Sequence, residues 1–82
     1  MTKDELKATI IDEIGNIAPD ADLSSVSADA DLREAFDMDS MDIFNLVVAL
    51  SQRLAIDIPD VDASHLVTLG GGTEYLAHRL GL

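Results

Sequence analysis

Apolar residues return at helical intervals in two stretches of the chain and gather again in a third. In the first, Leu6, Ile10, Ile14 and Ile17 recur at steps of four, four and three with Ile11 beside them. That spacing lays one apolar stripe along a helix over residues 3 to 17. Thr2 is placed to cap it, Asp4 and Glu5 suit the positive end of its dipole, and Ala18-Pro19 stops it. The second stretch, residues 40 to 54 (SMDIFNLVVALSQRL), is the strongest. Ile43, Leu46, Val47, Leu50 and Leu54 form its inward stripe with Phe44 at the border. Asp39 is a natural cap there, and Asp42 three residues on gives a capping-box-like arrangement. In the third, Gly70-Gly71-Gly72 breaks the chain, Thr73 caps a last helix carrying Tyr75, Leu76 and Leu80, and Gly81 ends it.

Between the first two helices, residues 18 to 39 are rich in Asp, Ser and Ala and show little period. Leu23, Val26, Leu32 and Phe36 are spaced to pin this connection onto a core, with a short helical turn near Asp31 to Phe36. After residue 54, Ile56-Asp57-Ile58 reads as an extended link closed by Pro59, followed by a brief helix near Val61 to Val67. No repeat and no long period-two alternation is present. The expectation is an all-α fold: a four-helix bundle with one short helix and a long first loop, forming a single domain over residues 1–82.

Composition narrows the function. Of the 82 residues 48% are apolar, too many for a disordered tail, and there is no cysteine for disulfides or a thiolate metal site. No run approaches the roughly 18 apolar residues of a membrane span. The opening MTKDELK lacks the apolar core of a secretory signal, so a cytoplasmic location is expected, and a monomer with it. Sixteen Asp and Glu against five Lys and Arg give a net charge of −11, a field that repels nucleic acid and anionic membranes and favours partners with a basic patch. Acidic surfaces also serve solubility alone. The placement says more than the sum: nine acids lie between Asp29 and Asp62, with only Arg33 and Arg53 among them.

Catalytic chemistry finds little footing. His65 and His78, the only histidines, read as surface residues, and a core this small walls off no cleft to set two carboxylates apart. No Lys-Ser or Lys-Thr follows the glycine triplet, so it is not a phosphate loop. Asp20, Asp22, Ser24 and Asp31 fall at calcium-loop positions, but Ser25 stands where that loop requires Gly and Asp31 where it requires a bidentate Glu. No enzyme and no metal site is expected. Ser40, at the start of a helix, reads first as a cap, but it follows the long loop and opens the strongest helix, so that its hydroxyl can face solvent. A phosphodiester there would meet the helix's positive end and its free amides.

The run Asp31-Leu32…Asp39-Ser40-Met41-Asp42…Leu46-Val47…Ala49-Leu50…Ile56-Asp57-Ile58-Pro59-Asp60 resembles the acyl carrier proteins of fatty acid and polyketide synthesis. The flanking helices fit as well, so the resemblance covers nearly the whole chain. It implies that Ser40 receives 4′-phosphopantetheine from coenzyme A through a separate phosphopantetheinyl transferase, and that the arm's thiol carries an acyl thioester between enzymes. It also implies that Asp37, Asp39, Met41, Asp42 and Val48 face partners with basic docking patches, and that Phe44, Leu46, Val47 and Leu50 form an interior against which an acyl chain rests. Met38 stands where the family often has Gly, and Met41 replaces the usual Leu. Asn45, Ser51, Gln52 and Arg53 occupy a face usually rich in Glu, which points to a specialised carrier with dedicated partners. The glycine triplet is unusual and would mobilise the last helix. Two alternatives stay open: an unmodified acidic interaction module in which Ser40 only caps its helix, and an aminoacyl or peptidyl carrier.

Overall fold

A computed structural model describes residues 1–23 and 26–82. In chain order the elements are α1 (Lys3–Ile17), α2 (Leu32–Ala35), α3 (Ser40–Leu54), a 3₁₀ helix (Asp60–Leu66) and α4 (Leu69–Leu80). The first and third helices begin as their sequences dictate. The Thr2 hydroxyl accepts from the Glu5 amide at 3.1 Å while the Glu5 carboxylate accepts from the Thr2 amide at 3.0 Å. Asp39 and Asp42 repeat the reciprocal pair at the head of α3, at 2.9 and 3.2 Å. Each box satisfies two amides that a helix start leaves without partners.

The inward stripes meet in one core. Leu6, Ile10 and Ile14 of α1 pack with Ile43, Leu46, Val47 and Leu50 of α3 and with Leu69, Leu76 and Ala77 of α4. The long connection joins them through Leu32 and Met38, both buried, and through half-buried Leu23, Val26 and Phe36. Its length has a geometric reason. Arg53, near the end of α3, donates to Asp12 and Glu13 in the second half of α1, so the two helices meet near their C-termini. A helix of 15 residues is about 22 Å long, and the connection must return the chain over that distance before α3 can start. On the way it docks on the head of α4: the Leu32 amide donates to Val67 at 2.7 Å, the Gly70 amide donates to Ala28 at 2.8 Å, and Asp31 and Thr68 form an isolated antiparallel bridge.

That docking corrects the expectation for the last helix. Helix α4 starts at Leu69 under a Thr68 cap, whose hydroxyl accepts from the Gly71 amide at 3.0 Å. Thr73 is no cap. It is buried, and its hydroxyl donates to the Leu69 carbonyl at 2.8 Å. The glycines therefore lie inside the first turn instead of breaking the chain, and their neighbours leave little room for a side chain. A Cβ on Gly71 would stand 2.6 Å from the Thr68 hydroxyl, and one on Gly72 would stand 2.9 Å from Leu66 Cδ2.

The 3₁₀ helix is clasped to α4 further along. The Tyr75 hydroxyl donates to Asp62 at 2.7 Å and accepts from Arg79 at 2.8 Å, and Arg79 also donates to the Asp57 carbonyl at 2.5 Å. The His65 ring stacks on Tyr75 at 4.8 Å. Burial, and then the Asp62 carboxylate, push the Tyr75 hydroxyl above its ordinary pKa. Among the described residues no helix is long and apolar enough to cross a membrane.

Candidate functional site

Ser40 is the first residue of α3 and is exposed. The cap that precedes it determines what is free around it. Asp39 takes the Asp42 amide through its side chain and the Ile43 amide through its carbonyl. The amides of Ser40 and Met41 find no acceptor among the described residues, and neither does the Ser40 hydroxyl. A helix start with unengaged amides and an open hydroxyl suits an attached anion.

Beside Ser40 opens a groove of about 260 Å³. One wall is Ile43 and Phe44 of α3, the other is Ala63, Ser64 and Val67 of the 3₁₀ helix and its end, and α2 contributes Arg33. The lining is mostly apolar, with Ser64 and Arg33 as its polar members besides Ser40. A larger opening of about 390 Å³ lies between α1 and α4, where Lys3 and Lys7 are found. Among the described residues its one hydroxyl belongs to Thr73, already bonded to Leu69, whereas the smaller groove presents the unbonded hydroxyl of Ser40.

Arg33 does not stand free in this groove. Its Nε and Nη2 donate to the two Asp31 oxygens at 3.2 and 2.9 Å. That guanidinium, with the Arg33 amide second, holds the Asp31 carboxyl below the usual carboxylate range. The other base of the acidic centre, Arg53, is spent on Asp12 and Glu13.

The residues singled out in the sequence sort as follows. Asp37, Asp39 and Met41 are exposed around the head of α3, Asp42 is half-buried in the capping box, and Val48 is exposed two turns on. Leu46, Val47 and Leu50 are interior. Phe44 is not: it is 43% exposed, because one residue beyond Ile43 a helix turns about 100° and carries the ring from the core to the groove's edge. Met38 is buried and needs no glycine; the left-handed residue before the pair is Asp37, with φ 54°. His65 and His78 are exposed, His65 stacked on Tyr75. Of the calcium-like run, Ser24 and Ser25 fall outside the described residues. Among the described residues no three His, Asp or Glu side chains converge as a metal site.

The sequence reading missed the second wall of the groove. Nothing in Ala63, Ser64 or Val67 marks them locally, since they reach Ser40 only through the fold. Arg33 carried a faint signal, as one of two bases amid nine acids.

Comparison with known proteins bears on this geometry. The profile of the family described as the phosphopantetheine attachment site matches residues 4–76. The acyl carrier protein of Picosynechococcus sp. is 33% identical over 78 residues, covering 95% of this chain and 90% of that protein. That of Chlamydia trachomatis serovar D is 31% identical, covering 94% of each chain, and that of Campylobacter fetus is 30% identical, covering 89% of this chain and 88% of its own. No solved structure matches the chain. A helical bundle whose long loop delivers an exposed serine to a helix start, matched nearly end to end by these relatives, belongs to the acyl carrier protein family, whose members are carriers of phosphopantetheine and not enzymes.

Proposed function

We propose that residues 1–82 act as one carrier domain in which Ser40 is the attachment point of 4′-phosphopantetheine, and that the loaded protein ferries an acyl group between the enzymes of a lipid or polyketide pathway in the cytoplasm. The observation that carries this reading is the Ser40 hydroxyl: exposed, without a hydrogen-bond partner among the described residues, and next to the groove. A serine acting only as a cap would have its oxygen on a backbone amide, and here Asp39 does that work.

The residues fit the group. In the loading step the Ser40 oxygen bonds to phosphorus of coenzyme A, the bond from phosphorus to adenosine bisphosphate breaks, and the hydroxyl proton must leave. Among the described residues the groove's lining holds no His, Asp or Glu, and the neighbouring Asp39 and Asp42 carboxylates accept from backbone amides in the capping box, so this reading assigns the base to the transferase. The Ser40 and Met41 amides and the start of α3 stabilise the added charge. When bound, the arm supplies the thiol that this cysteine-free chain lacks and holds an acyl group as a thioester.

Asp37, Asp39, Met41, Asp42 and Val48 are the partner-facing residues of this reading. Acids cluster at the head of α3 while its exposed face carries Asn45, Val48 and Gln52. The partners therefore place basic groups at the Ser40 end and neutral or apolar ones along the helix, which suits a carrier with dedicated enzymes.

Incubation with coenzyme A and a broad-specificity phosphopantetheinyl transferase tests the reading by intact mass. One arm's mass should be added to the wild type and none to Ser40→Ala, with the helical circular dichroism of both alike. An arm found elsewhere, or a wild type that stays unmodified, overturns it.

A further inference from the structure

We infer that Arg33 is the residue that holds the arm's phosphate and so sets the direction in which the arm leaves Ser40, along the groove instead of into solvent. The inference rests on Ser40 being the attachment site and goes beyond it.

Three observations carry it. Arg33 and Ser40 line the same groove, and among the described residues Arg33 is the one charged member of its lining. The side chain is already oriented, since Asp31 accepts from its Nε and Nη2, and this leaves Nη1 without a partner among the described residues. Asp31 is itself anchored: its backbone bridges Thr68 at the head of α4, and its side chain caps α2. A guanidinium pre-positioned by a carboxylate loses little freedom when it gains a second anion.

Charge explains why such a residue is needed. Asp37, Asp39 and Asp42 gather near Ser40, and a phosphodiester adds one more negative charge there. Without a cation nearby, repulsion drives the linkage outward from the protein. Arg53 is bonded to α1, Arg79 to Tyr75 and Asp57, and the lysines lie on the opening between α1 and α4, so Arg33 is the cation placed for the task. With the phosphate held on the α2 side, the apolar wall of Ile43, Phe44 and Val67 receives whatever follows, and the Ser64 hydroxyl is available to a polar group of the arm.

The test uses the loaded full-length protein. Wild type, Arg33→Gln and Arg33→Lys are loaded with isotopically labelled arm, and intact mass establishes that each carries it. A wild type that cannot be loaded sinks the Ser40 reading itself. With loaded proteins in hand, carbon relaxation of the arm's geminal methyl groups reports how long the arm stays against the protein. The bound population should fall roughly two- to fivefold in Arg33→Gln, the effect of one exposed charge pair, and only partly in Arg33→Lys. Raising salt to about 1 M should produce a similar loss in the wild type and little in Arg33→Gln. If Arg33→Gln folds poorly, the wild type still tests the assignment, because an arm whose bound population does not respond to salt overturns it. An arm equally mobile in wild type and Arg33→Gln, or indifferent to salt, overturns the assignment.

Discussion

Two helices of this protein start in opposite ways. Helix α3 begins in the open: Asp39 closes the backbone with its own box, and the next residue, Ser40, is left exposed with its hydroxyl unspent. Helix α4 begins under cover. Thr68 caps it, Ala28 and Asp31 of the long connection dock on it, Leu66 presses on Gly72, and the hydroxyl of Thr73 is turned into the helix. One start is held by three-residue local chemistry and keeps a reactive group outside. The other is held by packing as well as by its Thr68 cap, and the Thr73 hydroxyl is spent inside the helix. A carrier needs both, since the exposed end can serve partner enzymes only if the opposite wall of its groove stays in place.

The comparison predicts unequal costs of substitution. Gly72→Val should be the most damaging change, because the added carbons meet buried Leu66 and overpacking of this kind costs about 2–3 kcal/mol. In a chain this size that lowers the melting temperature by about 10–20 °C, readable by thermal circular dichroism. The damage should arise even though glycine is the poorer helix former. A Gly72→Val protein that melts at or above wild type would mean that α4's head is not packed as described. Caps come next. Asp39→Ala and Thr68→Ala should each cost about 1 kcal/mol, within the range of lost caps, in urea titrations.

Much of this was legible from the chain alone, and the division follows the range of the interactions. Asp39 and Asp42 stand three residues apart, so their capping box is read directly, whereas at Thr2 the sequence gives the cap and the structure adds the return bond to the Glu5 carboxylate. The stripes of α1 and α3 gave the core by period alone. The sequence points to Thr73 as the start of α4 because a glycine triplet looks like a break, whereas Leu66, Thr68 and Ala28 close on the glycines and the helix starts at Leu69. The pattern leaves Phe44 at the border of its stripe, the family resemblance puts it in the interior, and the 3₁₀ helix settles it on the groove's edge. The two missed features, the groove's far wall and Arg33's position, both depend on contacts across the fold that no local pattern encodes.

Acid sharpens the same contrast more gently. Asp31 is held below its ordinary 3.8 first by the Arg33 side chain, and Glu5 below its ordinary 4.5 first by the Thr2 amide. A carboxyl with a lowered folded pKa binds fewer protons folded than unfolded. Its stabilisation is complete above the ordinary value and fades as pH falls through the lowered one. Both groups are exposed and screened, so the loss should be small, confined to pH below about 4.5, and flatter in Glu5→Gln and Arg33→Gln. Above that window the trend should reverse, since protonating some of the surplus acids relieves repulsion in a chain of net charge −11. Melts across pH at constant ionic strength would display both limbs, and a stability that falls steadily from neutrality would contradict the order of effects.

The smallest effect is the most discriminating. Ser40→Ala removes a hydroxyl that bonds nothing among the described residues, so its stability should stay within about 0.5 kcal/mol of wild type, as for surface changes remote from special contacts. Thr73→Val keeps the shape of a buried side chain but strips the hydroxyl that donates to Leu69, and should cost somewhat more, about 0.5–1.5 kcal/mol. The ranking matters because a capping serine would behave in the opposite way and lose about 1 kcal/mol on truncation. If urea titrations find Ser40→Ala as costly as Asp39→Ala, then the Ser40 oxygen is engaged by the backbone and α3 is not the open start that carriage requires. If the two hydroxyls separate as predicted, the free one is marked by thermodynamics alone, before any transferase is added.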